Sequence, residues 1–239
     1  MLALEAVTKR FGGLTAVGGV SLRVEQGDLL GIIGPNGAGK TTLFNVISGY
    51  YRPEGGRVVF DNRDITGHPP HEICRLGLTR TFQIVKPFGN LSVRDNVTIG
   101  VLTRVGSVAA ARPEAERMVK MCDLAPYAEV PAKSLPIGLR KRLELARALA
   151  TRPRLLLLDE VMAGLNPSEL AGMVELIRHV HAEGVTLIVI EHIMAAIMRL
   201  ARRIAVLHHG EKIAEGMPAQ IAHDPKVVDA YLGEEFTLE

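Results

Sequence analysis

Cysteine is scarce in this chain, and the little there is lies scattered. Cys74 and Cys122 are the only two; they match no metal-binding or redox spacing, which leaves reduced thiols in a cytosolic setting as the default. Net charge is nearly absent as well. Lys and Arg exceed Asp and Glu by only +2, no long block of one sign occurs, and nucleic acid is not an expected partner. No apolar run approaches the roughly 20 residues that a membrane-spanning helix needs, and residues 1–11 lack the zones of a secretory signal. The chain is therefore expected to be soluble by itself, and to work at a membrane only if a partner docks it there. The eight histidines include no helical H-x-x-x-H pair; His68 with His71, and His208 with His209, read as loop residues rather than metal ligands. Internal repeats, low-complexity tracts and linkers long enough to separate independent domains are also missing.

What is present is an α/β pattern. A chain of 239 residues suits one large α/β domain or a core with a satellite subdomain. Leu2–Thr8, Val20–Glu25 and Arg57–Phe60 read as strands of a small, partly antiparallel sheet, with turns expected at Gly12-Gly13 and Gly18-Gly19. From Ser92 to Ala150 the pattern is helical, punctuated at Pro113, Pro126, Pro131 and Pro136. The basic residues Arg140, Lys141, Arg142 and Arg147 read as the wet face of one of those helices. Three short apolar runs follow, Leu155–Leu158, Val185–Ile190 and Ile204–Leu207, split by amphipathic segments. Such runs alternating with helices indicate parallel strands buried on both faces. After Pro167, residues Leu170, Met173 or Val174, Ile177 and Val180 share one helix face and belong to the core.

The chemistry concentrates in GPNGAGKTT, Gly34 to Thr42, which directly follows the apolar run Leu29–Ile33. A strand, a glycine-rich loop and a helix in that order form a phosphate cradle: glycines let backbone N–H groups turn inward on an anion, and the helix dipole points at the same place. Lys40 would reach the β and γ phosphates and the Thr41 hydroxyl would ligate Mg²⁺. Taken alone, the same letters also suit an ordinary glycine-rich turn. A second apolar strand ends in Asp159-Glu160, at the same kind of sheet edge. Asp159 could hold Mg²⁺ through its water shell and Glu160 could orient and deprotonate the attacking water, although by themselves the pair could simply be polar residues after a strand. A third strand end carries Glu191-His192, where a histidine could stabilise charge on a γ-phosphate or serve only a structural role.

With these motifs in order, and with Arg80-Thr81-Phe82-Gln83, Leu135-Pro136-Ile137-Gly138-Leu139 and Ala163-Gly164-Leu165-Asn166 between them, the chain resembles the ATP-binding subunits of ABC transporters along nearly its whole length. The resemblance implies a P-loop NTPase, RecA-like core with a mostly parallel sheet, an N-terminal antiparallel β subdomain and an inserted α-helical subdomain. Segments 1–82 and 154–239 would build the core and 83–153 the lid loop and helical insert. It further implies ATP and Mg²⁺ as ligands, with Phe11 stacking on adenine, Val17 and Asn36, Gly37, Ala38, Gly39, Lys40, Thr41 and Thr42 on the nucleotide, and Gln83 as a lid glutamine joining Thr41 and Asp159 on the metal. Glu160, His192, Lys40 and Gln83 would be the catalytic set. Phe11-Gly12-Gly13-Leu14-Thr15-Ala16-Val17, Gly164-Leu165-Asn166-Pro167 and Ala230-Tyr231-Leu232-Gly233-Glu234 are similar to the subgroup that energises uptake of branched-chain amino acids and related amides. That implies transmembrane permease subunits, a solute-binding protein acting indirectly, and a site of work on the cytoplasmic face of the membrane.

Two departures from the family pattern stand out. The signature helix of the family opens L-S-G-G-Q and grips ATP held by the opposite subunit, whereas here Leu135, Pro136, Ile137, Gly138 and Leu139 stand there. Proline has neither hydroxyl nor N–H, so Pro136 removes two phosphate donors, while Gly138 and the helix dipole remain. Asn166 stands where the family commonly has aspartate. A heterodimer with an ATPase carrying a regular signature is therefore expected, a homodimer staying open, and the site at Gly34–Thr42 would be the stronger of two. Other roles were weighed: a non-transport ABC ATPase, which normally needs a coiled-coil insertion or second ATPase half, and a regulatory nucleotide-binding module, against which Glu160 and His192 argue.

Overall fold

Ten strands and nine α-helices are found within residues 1–232, the part of the chain that the computed structural model describes. In chain order they begin with β1 (Leu2–Phe11), β2 (Leu14–Val24), β3 (Leu29–Ile33), α1 (Lys40–Ile47), β4 (Gly55–Phe60), β5 (Arg63–Asp64), α2 (Pro70–Leu76) and β6 (Leu78–Arg80). Next come α3 (Val93–Val101), α4 (Val108–Met121), α5 (Ile137–Ala150), β7 (Leu155–Asp159) and α6 (Pro167–Ala182). The remaining elements are β8 (Thr186–Ile190), α7 (Met194–Leu200), β9 (Arg203–His208), β10 (Glu211–Gly216), α8 (Pro218–Ile221) and α9 (Pro225–Leu232). The chain divides into two compact units, one made of Met1–Ile73 with the segment from Thr186 onward, the other of Cys74–Val185.

In the first unit β3 is the central strand. It runs parallel to β8, from Leu29↔Leu187 to Ile32↔Ile190, and parallel to β9, from Leu30↔Arg203 to Ile33↔Val206; β10 then pairs antiparallel with β9. All five residues of β3 and all five of β8 are buried, as unbroken apolar strands covered on both faces must be. Phe44 and Ile47 on α1 are fully buried as well. The same unit holds the antiparallel sheet β2-β1-β4-β5. Gly18-Gly19 is not a turn there but lies inside β2, where the β1–β2 register slips between Val7↔Val20 and Lys9↔Val17. Gly19, at φ 66, takes up the bulge and donates its N–H to Thr8 Oγ1 at 3.0 Å.

In the second unit β6 and β7 pair in parallel, from Leu78↔Leu155 to Arg80↔Leu157, and α3, α4 and α5 pack on one another. Val97, Val101, Ala111, Met118, Leu143 and Ala146 supply the interior. Ser92 caps α3 through the N–H of Asp95, and Ser107 caps α4 through that of Ala110. Three of the four prolines stand at or next to helical boundaries, but Pro113 lies within α4, so the carbonyl of Ala109 loses its helical donor. The α6 face is as expected, with Met173, Val174, Ile177 and Val180 buried. No described helix is long and apolar enough to cross a membrane.

Gly31 positions the P-loop strand against α7. A Cβ built on Gly31 would lie 2.8 Å from Ile197 Cγ1 and 3.2 Å from the Ala201 Cβ, so no side chain fits between strand and helix. Gly31→Val is expected to lower stability by about 1–3 kcal/mol through overpacking, read as a lower urea midpoint at unchanged slope.

Candidate functional site

The first unit builds an anion cradle after β3. Gly34 turns at φ 151, Gly37 at φ 78 and Gly39 at φ 97, the last forming the N-cap of α1. A side chain at Gly34 would meet the Leu207 carbonyl at 2.1 Å, and one at Gly39 the Ala16 carbonyl at 2.3 Å. The loop therefore owes its shape to residues that can approach bare backbone. Gly210 N–H donates to the Ala38 carbonyl at 3.1 Å, closing the far side. Helix α1 has no side-chain cap and no acid in its first turn, so its positive end is not neutralised from within. Lys40 is buried in the loop, donating from Nζ to the carbonyls of Gly34 at 2.6 Å and Pro35 at 2.8 Å. Asn36, Gly37 and Thr41 are exposed, Thr42 is half-buried and Ala38 is buried.

Phe11 stands at the end of β1, 43% exposed, with Tyr51 edge-on at 5.2 Å and the Lys9 ammonium 5.2 Å from its ring centre. Lys9 is held in turn by Glu54 at 2.6 Å and the Arg52 carbonyl at 3.0 Å. The hydrogen bond to Lys9 is the main cause of the depressed Glu54 carboxyl, helped by the N–H of Arg10. Val17 is fully buried; it is the neighbouring Ala16 carbonyl that lies against Gly39. His192 is exposed. Because Ile32 pairs with Ile190 on the adjacent parallel strand, Gly34 and His192 each stand two residues beyond that pair.

The second unit gathers the acids. Asp159 is completely buried, and its Oδ2 accepts from Arg80 Nη2 at 2.7 Å, an ion pair with both side chains out of water. Arg80 Nε donates to the Thr81 carbonyl at 3.2 Å, its guanidinium lies 4.9 Å from the Phe82 ring centre, and Thr81 Oγ1 accepts from the Asp159 N–H at 3.1 Å. Glu160 adopts φ 49, a left-handed conformation for a residue with a side chain. Two groups hold it: Gln83 Nε2 donates to its carboxylate at 2.7 Å, and Lys141 Nζ to its carbonyl at 2.8 Å. Since the Gln83 bond uses the amide nitrogen, the amide oxygen is the atom it offers a cation. Within this unit the Gln83 amide oxygen and the Asp159 carboxylate are oxygen donors, the chemistry that suits a hard ion such as Mg²⁺.

The signature positions lie at the start of α5. Pro136 is its N-cap, without a side-chain cap bond; Leu135 turns into the core, Ile137 is exposed, Leu139 is half-buried and Gly138 is buried. A Cβ on Gly138 would come within 2.5 Å of Glu169 Oε1. That glutamate belongs to a capping box in which Asn166 Oδ1 accepts the Glu169 N–H at 2.9 Å and Glu169 Oε2 accepts the Asn166 N–H at 3.1 Å. Asn166 is thus the helix cap of α6.

The family model described as "ABC transporter" matches residues 17–163, and one described as "Branched-chain amino acid ATP-binding cassette transporter" matches residues 211–237. This chain belongs to the ABC transporter family. It is 40% identical to the high-affinity branched-chain amino acid transport ATP-binding protein BraF of Pseudomonas aeruginosa, with 98% of each chain covered. A solved nucleotide-free ATP-binding cassette from an ABC transporter superposes with a TM-score of 0.88 at 33% identity, covering 98% of this chain and 99% of that one. A dimeric cassette in a post-hydrolysis state with ADP and Pi gives 0.82 at 26% identity, covering 91% and 99%.

Three residues of this ABC ATPase lay outside the sequence-based candidates for the site. Tyr51 beside Phe11 had one signal, the Tyr50-Tyr51 pair in a chain with 4% aromatics. Arg80 sat in a motif but carried no role, since nothing in the order of residues brings it to Asp159. Lys141 was read as part of a wet helix face, yet it is 5% exposed; its stem crosses the interior to reach Glu160. The same helix holds residues 86–88: Arg147 lies over the Phe88 ring at 5.2 Å and donates to the Lys86 carbonyl at 3.3 Å. Burial raises the Glu144 carboxyl, against the charge of Arg147 and the N–H of Phe82, which donates to it. Arg80→Met would leave a buried carboxylate without its cation and is expected to cost about 3–5 kcal/mol, measured by urea unfolding of the isolated chain.

Proposed function

We propose that this chain is the ATP-hydrolysing subunit of an importer for branched-chain amino acids or related amides, working on the cytoplasmic face of the membrane. The observation that carries this reading is the match of residues 211–237 to the branched-chain cassette model, joined to full-length likeness to a branched-chain transport ATP-binding protein. The functional segments on this reading are 1–82, 83–153 and 154–239.

In this reading adenine lies on Phe11 with Tyr51 at its side, and residues 36–42 take the phosphates. The inward backbone N–H groups and the uncapped end of α1 receive negative charge. Lys40 exchanges its bonds to the loop carbonyls for phosphate oxygens. Mg²⁺, when bound by Thr41, Gln83 and Asp159, supplies charge neutralisation on the phosphates. Glu160 accepts a proton from the attacking water, and Gln83 and Lys141 hold it for that task. His192 donates to an oxygen of the γ-phosphate as charge develops. A water molecule thus gains the phosphoryl group, and ADP leaves with the electron pair of the broken P–O bond.

A second ABC ATPase subunit completes this site with its own signature, and two permease subunits receive the motion. Ile84, 70% exposed, Val85 and Phe88, 47% exposed, offer the permease an apolar notch within residues 83–89, which the contacts of Arg147 with Lys86 and Phe88 tie to the signature helix. A solute-binding protein acts through the permease and does not touch this chain. Pro136 weakens the signature that this subunit lends to its partner, so the two sites of the dimer work unequally.

Reconstituted with its membrane and ATPase partners, Glu160→Gln is expected to reduce ATP turnover by about 10²–10⁴-fold while ATP binding persists. The matching change in the partner should cost clearly less; equal losses would sink the unequal-site reading. ATP binding without turnover in the wild-type complex would overturn the assignment as a transport ATPase.

A further inference from the structure

The aromatic pair at the end of β1 is held by a cation. Lys9 Nζ lies 5.2 Å from the Phe11 ring centre and 5.9 Å from that of Tyr51, inside the roughly 6 Å over which an ammonium is drawn to a ring. The two rings meet edge to face at an interplanar angle of 77°, so a single ammonium serves both. Lys9 is itself fixed, its side chain only 12% exposed, by the Glu54 carboxylate at 2.6 Å and the Arg52 carbonyl at 3.0 Å. The second oxygen of Glu54 accepts the Arg10 N–H at 2.6 Å, and the Glu54 N–H donates to the Thr8 carbonyl at 2.9 Å. Residues 51–54 are therefore stapled to the end of β1 by backbone and side chain together, and the Tyr51 N–H donates to the Asn45 carbonyl of α1 at 3.1 Å.

We propose that Lys9, with Glu54 as its counter-ion, is a positioning residue for the nucleobase: it fixes the Phe11 and Tyr51 rings in the arrangement that receives a purine, a role that rests on the reading of Phe11 as the adenine surface. A phenylalanine exposed at a strand end would otherwise sample several rotamers in water, and a base stacking on it would have to stop them. Here the ammonium and the Tyr51 edge restrict the ring before the nucleotide arrives. The ammonium also offsets the negative charge of the ring faces, which lessens the repulsion between stacked π systems. Because Glu54 neutralises Lys9 at 2.6 Å, the pair adds little net charge to attract phosphate. Its effect on binding acts through the rings.

A double-mutant cycle on the full-length chain tests this, read as the dissociation constant of ATP by isothermal titration. Phe11→Ala should weaken ATP. Lys9→Met, which keeps the aliphatic stem, should weaken it about three- to tenfold, the loss expected when one cation–ring contact and the fixing of one side chain are removed. Lys9→Arg should restore most of the affinity. In the Phe11→Ala background Lys9→Met should add nothing, because the ring through which it acts is gone. ATP binding by Lys9→Met equal to wild type overturns the proposal, as does a loss that persists in full on top of Phe11→Ala, the mark of a cation acting on phosphate. Should Lys9→Met fail to fold, Glu54→Gln removes the counter-ion, leaves the backbone staple intact and takes its place in the cycle under the same criteria. Phe11→Ala that binds ATP as tightly as wild type would instead refute the adenine reading itself.

Discussion

A loop that presents backbone N–H groups to an anion cannot also be held by side chains of its own, because those side chains would occupy the space of the ligand. Its shape must come from neighbours. Here the carbonyls of Leu207 and Ala16 stand where side chains of Gly34 and Gly39 would begin, and the Gly210 N–H takes the Ala38 carbonyl. These partners come from β9, the β9–β10 turn and β2, which explains why the first unit joins both ends of the chain: the C-terminal strands are needed beside β3 to close the cradle. The buried strand β3 and the apolar face of α1 anchor the two ends of the loop, so the packing of Ile32, Ile33, Phe44 and Ile47 is the foundation of its chemistry.

The second unit faces the opposite problem, how to keep acids in place where burial disfavours charge. Arg80 answers for Asp159, at the cost of a buried cation that is itself stabilised by the Thr81 carbonyl and the Phe82 ring. Glu160 is steadied by Gln83 and Lys141. Lys141, Glu144 and Arg147 all project from α5, so one helix holds the Glu160 carbonyl and, through Arg147, the Lys86 carbonyl and the Phe88 ring.

The departures in the sequence find a local physical explanation. Pro136 is compatible with the helix because it is the N-cap, where no helical N–H is required of it. Asn166 caps α6 as well as aspartate would, with its Oδ1 on the Glu169 N–H. Neither substitution disturbs the local fold. The family, its ATPase activity and the α/β architecture were legible because they depend on ordered local patterns: a strand, Gly34–Thr42 and a helix, or an apolar strand ending in Asp159-Glu160. Gly18-Gly19 misled because a glycine pair serves a bulge as well as a turn, and Lys141 because a long aliphatic stem can carry a charge through an interior that a short residue could not cross.

Sequence alone determined which backbone could form the phosphate cradle, since positive φ at Gly37 and Gly39 and an uncapped helix start are properties of the residues themselves. It also determined the strands, because unbroken apolar runs can only be buried on both faces. Tertiary structure decided the partners: Arg80 on Asp159, 79 positions apart along the chain, Lys141 on the Glu160 carbonyl, and Tyr51 beside Phe11. The reason is physical. Local conformation follows from short-range sterics and hydrogen bonding that a few neighbouring residues specify, whereas a buried charge takes whichever partner the packing of distant elements delivers within about 3 Å.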